Sequence, residues 1–331
     1  MRCVPHRLHL GLTALDEFVM APTERSVERR NMPSREMTEA IAAFKARRAI
    51  REGTIPAPLA DIRAHFAPAG IVHPVPGDVA VSSIVAGAAP AHWLVPPGAR
   101  ADRVVLYLHG GGYSVGSVVS HGELAARVGR ASGSRVLFLD YRLAPENPFP
   151  AAVDDTVAAY HWLLSTQGLR PSSIAVVGDS AGGGLCLSMM VAVRDAGAVV
   201  PAAAALMSPW TDLTISGASV KERAEQDVIL TPTMVQSLAK DYLAGADPRS
   251  PFASPLFASQ KGLAPLLIQV GTAELLFSDS ERLAKAAAEA GVEVTLRTEV
   301  GLPHVYPCVL GTPEAAQATE EIGQFLRARM H

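Results

Sequence analysis

From Arg103 to its end the chain alternates between short apolar runs and longer stretches with helical spacing, and this alternation constrains the fold more than any other feature. The runs are Val104–Leu108, Arg135–Leu139, Ile174–Val177, Ala202–Met207, Leu266–Val270 and Val292–Thr298. Between them lie Gly122–Ala131, Ala151–Ser165, Ala181–Asp195, Asp279–Ala290 and Pro313–Arg329. A strand that is apolar throughout needs cover on both faces, and helices between strands supply it, so the pattern predicts a parallel sheet. Upstream, Val79–Val85 and His92–Val95 are broken by Pro and Gly and read as two antiparallel strands. The fold class is therefore α/β, with a mostly parallel central sheet flanked by helices.

Two segments stand outside the alternation. Residues 23–66 are charge-rich, with helical spacing at Met37, Ile41, Phe44 and Ile50, then Ala60, Ile62 and Phe66, which predicts two or three amphipathic helices. A second segment, from Ile215 to about Arg249, interrupts the sheet pattern with helical spacing at Val235, Leu238 and Tyr242. The expected organisation is a helical cap segment over residues 1–69 and a catalytic domain over 70–331, with a cap insertion at about 215–249. Ser278 with Glu281 fits a capping box, and Thr312-Pro313-Glu314 sets a cap, a first-turn proline and an acid in order.

Charge and cysteine content narrow the function. The formal net charge is −3 over 331 residues without long runs, so the clustered basic patch that nucleic-acid binding needs is absent. Cys3, Cys186 and Cys308 have no metal-ligand or CxxC spacing and read as thiols in a reducing compartment. The basic Met1–Arg7 and the mildly apolar Leu8–Leu15 resemble a leader, but Asp16 and Glu17 interrupt the run. A cytoplasmic location and no membrane span are expected. A homodimer is compatible with the sequence, which does not specify one.

The chemistry centres on Gly178-Asp179-Ser180-Ala181-Gly182, which follows an apolar run and opens a helix. A serine at a sharp strand-to-helix turn projects its hydroxyl above the sheet. The competing reading, a glycine turn with serine as a plain helix cap, is weakened by that strand and helix context. A lone serine needs a base. His304 lies between the last strand and the last helix, at a strand's carboxyl end, where open α/β sheets present their chemistry. The acid must lie between the two in chain order. Glu274 sits directly past the run Leu266–Val270; Asp279 is the alternative, although a first-turn acid is also explained by the helix dipole. Glu274 is preferred. His109-Gly110-Gly111-Gly112-Tyr113 follows another strand and has no phosphate-loop ending. Acyl transfer places negative charge on a carbonyl oxygen, and the N–H groups of Gly111, Gly112 and Ala181 are the candidate donors to it. His109 is expected to order this loop.

Taken together, these motifs resemble the hormone-sensitive lipase family, the bacterial family IV esterases. The likeness rests on HGGG at His109–Gly112, Asp140-Tyr141-Arg142-Leu143-Ala144-Pro145-Glu146, GDSAG at Gly178–Gly182, Ser208-Pro209-Trp210-Thr211-Asp212-Leu213 and Pro303-His304-Val305, and spans about Gly70 to the C-terminus. It implies a carboxylic-ester hydrolase with a helical cap and an acyl-enzyme intermediate, acting on small short- to medium-chain esters, with no metal and no cofactor. Most relatives have Asp where Glu274 stands. Arg142, Glu146 and Asp212 read as buried polar ties rather than catalytic groups. With few aromatics, the acyl site is expected to be lined by Leu, Met and Ala, with Phe44, Phe66, Tyr242 and Leu243 as cap candidates. Lactone or amide hydrolysis shares the same tetrahedral intermediate. A non-catalytic small-molecule receptor would have lost a triad member, and all three positions are filled.

Overall fold

The six apolar runs form the parallel part of one eight-stranded sheet in the computed structural model, which describes residues 32–52, 58–67 and 72–331. The leader-like start, Cys3 and the first part of the charge-rich segment lie outside the described residues. In chain order the strands are β1 (Ala80–Ala86), β2 (Ala89–Val95), β3 (Arg100–Leu108), β4 (Ser134–Leu139), β5 (Ile174–Asp179), β6 (Ala203–Met207), β7 (Leu266–Gly271) and β8 (Val294–Glu299). Their spatial order is β1-β2-β4-β3-β5-β6-β7-β8. β2 runs antiparallel to both β1 and β4, and every other pairing is parallel.

The period of two along each strand divides the core into two layers. Val104, Leu106 and Leu108 of β3 pack with Ile174 and Val176 of β5 on one face. Val105 and Tyr107 pack with Ala175 and Val177 on the other. The first layer is covered by α4 (Ala151–Ser165), α5 (Ala181–Asp195) and α8 (Phe277–Glu289), the second by α3 (Val118–Ser132) and α9 (Pro313–Arg327). Full cover on both faces is why β3 to β7 read as unbroken apolar runs, whereas the edge strand β8 is only partly covered.

The charge-rich segment forms α1 (Arg35–Glu52) and α2 (Leu59–His65), and the later insertion holds α6 (Ser219–Glu222) and α7 (Pro232–Leu243). Thr312 caps α9 as expected, its hydroxyl accepting the Ala315 N–H at 3.2 Å. The capping box expected at Ser278 does not form. α8 starts two residues earlier, at Phe277, and Ser278 Oγ accepts the Ser219 N–H of α6 instead. A tertiary partner has taken the hydroxyl that a local cap would have used. Among the described residues no helix is long and apolar enough to cross a membrane.

Candidate active site

Five loops leave the carboxyl ends of β3, β5, β6, β7 and β8, and each contributes to one constellation. Ser180 stands between β5 and α5 with φ 53° and ψ −121°, a conformation costly for a residue with a side chain. The turn is held by Ser180 N–H donating to Met207 O and by Ser180 O accepting from Trp210 N. It also requires glycine at 182, since a Cβ there would lie 2.0 Å from the Leu108 carbonyl oxygen. The strain places the hydroxyl clear of the sheet.

Ser180 Oγ lies 2.9 Å from His304 Nε2, within hydrogen-bond range. On the other side of the ring, His304 Nδ1 is 3.6 Å from Glu274 Oε2. That spacing is an ion-pair distance just beyond a good hydrogen bond. Neither His304 Nδ1 nor Glu274 Oε1 has another hydrogen-bond partner, although both are buried. Asp279, the alternative acid, is elsewhere. Its Oδ2 accepts the N–H groups of Thr211 and Asp212 at 2.8 and 2.9 Å, fixing the loop after β6. The expectation that Asp279 merely complements a helix dipole understates it: the group is buried and tied to another segment.

The electrostatics follow from burial. Glu274 is fully buried, which pushes its carboxyl above the ordinary value while the nearby imidazole pulls it back. Burial, the largest single influence, would lower His304, but the carboxylates of Glu274, Asp227 and Asp179 together outweigh it and the net direction is upward. Each group favours the charged form of the other.

Sequence reading assigned no role to Ser208, at the end of β6. Its hydroxyl donates to Glu274 Oε2 at 2.8 Å and accepts the Val305 N–H at 3.0 Å, so one side chain braces the acid and the residue after His304. Its φ is 49°. The Ser208–Leu213 block pointed to this segment without pointing to the serine.

Gly111 and Gly112 line the same cavity as Ser180 and His304, and Ala181 opens α5 beside them. A side chain at Gly112, whose φ is 59°, would run into Leu238 of α7. His109 is buried against Tyr141, with ring centroids 4.3 Å apart, and its Nδ1–H donates to Gly110 O at 2.7 Å. Burial, with His121 nearby, pushes it down to about 3, so it stays neutral and orders the loop. Asp179, beside Ser180, accepts from Tyr107 Oη at 2.9 Å. Burial opposes its ionisation, but His121 and these hydrogen bonds hold it below the usual carboxylate range.

The cavity has a volume of about 1000 Å³. Leu59, Ile62 and Phe66 line it from α2 and the residue that follows, Met234, Val235 and Leu238 from α7, and Leu276 and Val305 from the catalytic loops. Among the described residues the apolar wall is therefore formed by Ile, Leu, Val and Met with Phe66 and Trp210, and no alanine lines it. Of the four cap candidates only Phe66 reaches it. Phe44 is buried in the second core layer; Tyr242 and Leu243 lie in the first, where Tyr242 stacks on Tyr113 with centroids 3.8 Å apart. Asp212 is a buried tie, bound to Arg282 at 2.7 Å. Arg142 and Glu146 are ties too, to Asp155 and Arg63, but their side chains are 48% and 56% exposed rather than buried.

Comparison with known proteins adds to this geometry. The model of a family described as alpha/beta hydrolase fold matches residues 105–308, more than half of the chain. An acetyl-hydrolase of Streptomyces hygroscopicus is 47% identical over 256 residues, covering 76% of this chain and 83% of its own. A crystal structure of an esterase from the bacterial hormone-sensitive lipase family superposes with a TM-score of 0.85 at 42% identity, covering 91% of this chain and 100% of that one. EstE5, soaked by p-nitrophenyl butyrate, superposes with a TM-score of 0.83 at 40% identity, covering 89% of this chain and 98% of that one.

Proposed function

This chain belongs to the α/β-hydrolase fold family, among the bacterial hormone-sensitive-lipase esterases, and from that premise we propose that it cleaves short- to medium-chain carboxylic esters through Ser180, His304 and Glu274. It is a serine carboxylesterase. The observation that carries the assignment of residues is the 2.9 Å contact between Ser180 Oγ and His304 Nε2 at the wall of an apolar cavity.

In the proposed reaction His304 Nε2 takes the Ser180 proton as Oγ attacks the ester carbonyl, and the electron pair moves to the carbonyl oxygen. The N–H groups of Gly111, Gly112 and Ala181 bind that oxyanion; one such donor is worth roughly 10²–10³ in rate. Glu274 holds the ring and balances the imidazolium. The Nε2 proton then passes to the departing alcohol oxygen, leaving an acyl-serine. Water then attacks the acyl carbon, giving its proton to His304, which passes it to Ser180 Oγ as the bond to the acyl group breaks and the carboxylic acid leaves. α2 and α7 act as the cap that shields these steps from bulk water.

Short acyl groups are supported by a relative named acetyl-hydrolase and by a neighbour soaked with p-nitrophenyl butyrate. The mainly apolar cavity leaves room for longer chains. The test is a panel of p-nitrophenyl esters from acetate to octanoate, with lactones and anilides alongside, and a fluorophosphonate label. The expected result is fastest turnover on the shorter esters and a label that disappears in Ser180→Ala. Retained labelling in that variant would overturn the assignment of the nucleophile.

A further inference from the structure

The loop that carries Glu274 is gripped from a second side, by a residue to which sequence reading assigned no role. Asp227 follows α6 and is fully buried. Its Oδ2 accepts the N–H of Leu275, the residue after Glu274, at 2.8 Å. Its Oδ1 accepts the N–H groups of Ile229 and Leu230, each at 2.8 Å. Its own carbonyl accepts from Arg48 of α1, which also donates to Ala224 O. One aspartate thus joins α1, the insertion and the acid loop.

A buried carboxylate is expensive to keep unless it is satisfied, and an asparagine or serine could have tied one loop to another. Burial pushes the Asp227 carboxyl above its ordinary value, but all three groups bonded to it are N–H donors, which favour the ionised form. The charged groups that face Asp227 are Arg48 from α1, Glu274 from the loop after β7 and His304 from the loop after β8. Those facing His304 are Glu274, Asp227 and, from the end of β5, Asp179. Glutamate carries one more torsion than aspartate, so its carboxylate needs firmer support to present one geometry. Ser208 braces the side chain, and Asp227 braces the backbone behind it.

We infer that Asp227 is a positioning residue of the esterase reaction: it fixes the acid loop at Leu275 and adds a second buried negative charge facing His304. This rests on the reading of Ser180, His304 and Glu274 given above. The charge favours the imidazolium that forms while Ser180 attacks, and the same charge makes the free ring harder to deprotonate. Removing it should therefore lower the rate and also move the acid limb of the pH profile to lower pH.

Asp227→Asn and Asp227→Ser are the variants, assayed on p-nitrophenyl butyrate from pH 5 to 9. Rates are taken per fluorophosphonate-titratable site, so that unfolded molecules do not count. The expected result is a loss of about tenfold in kcat, the scale of one hydrogen bond to a charged group, with KM nearly unchanged. The acid limb of kcat/KM should fall by about half a pH unit or more. A purely structural role would scale the profile without moving it, so an unmoved limb overturns the inference whatever the loss of rate. Two variants that yield no titratable protein overturn it as well, by assigning Asp227 to folding. Failure of the underlying reading looks different, because Ser180→Ala would then keep its activity before any Asp227 variant is made.

Discussion

Replacing Glu274 by Gln keeps an acceptor for the Ser208 hydroxyl but removes the charge that balances the His304 imidazolium. The amide can also set the ring in the wrong tautomer, an effect worth up to about 10⁴ in kcat where an acid plays this part. The predicted loss for Glu274→Gln is between about 10² and 10⁴ in kcat. For Asp279→Asn it is under about threefold, because both N–H donors to Asp279 reach the same oxygen and one amide oxygen can serve them. Steady-state kinetics of the two variants side by side decide it, and similar small losses in both would remove Glu274 from the mechanism. Much of this site could be read from the sequence because Ser180 and the glycines need a particular backbone setting that leaves a short local signature, and His304 follows the carboxyl end of the last strand. Ser208 and Asp227 left none. Their partners on the acid loop are 66 and 48 residues away, and a serine after a strand or an aspartate in a polar segment is unremarkable until folding brings that loop in.

At the scale of elements, α2 is the piece whose attachment most directly shapes the pocket. Only Arg63 is needed to see why. Its Nε donates to Ser114 O at 2.8 Å, its Nη2 to Ala144 O at 2.9 Å, and it forms a two-pronged pair with Glu146 at 2.8 and 2.7 Å. Ser114 belongs to the loop that holds Gly111 and Gly112, so this short helix is pinned beside the proposed oxyanion donors. α2 buries no residue fully and has no side-chain cap, so tertiary ties rather than its own propensity must hold it. Arg63→Ala should therefore raise KM about three- to tenfold by loosening the wall formed by Leu59, Ile62 and Phe66, with kcat changed less than about threefold. Arg63→Lys should fall between, since an ammonium cannot make the two-pronged contact. A fall in kcat at constant KM would show that α2 acts on the chemistry and not on the pocket. The central strands β4 to β7 were legible to within a residue or two, because two-sided burial writes itself as unbroken hydrophobicity, while β2 and β3 start three and four residues before their apolar runs. The cap helices were legible as helices only, since which face of an amphipathic segment meets which loop depends on ties such as Arg63 that periodicity does not carry.

For the molecule as a whole, buried titratable groups set how stability responds to pH. Asp279 is raised by burial to about 7, from an ordinary value of 3.8. A group whose folded value is raised contributes stability that is complete below the unfolded value and is lost as pH climbs through the folded one. Asp279 therefore favours the folded state near pH 4 and has withdrawn that support by about pH 7, a change of order 4 kcal/mol at most. His109 works against it. Its folded value is pushed down to about 3 from 6.5, so its contribution is complete above 6.5 and is lost as pH falls towards 3. The two slopes nearly cancel in the wild type between about pH 4 and 6.5. Asp279→Asn removes one of them and leaves the other. The difference in Tm between this variant and the wild type should thus move in the variant's favour as pH rises from about 4.5 to 7, and stay constant above about 8, when both proteins are followed by calorimetry in matched buffers. A difference that is flat across the lower range would mean that Asp279 is already ionised there, held by the Thr211 and Asp212 amides and by Arg282, and that burial has lost to hydrogen bonding at this position.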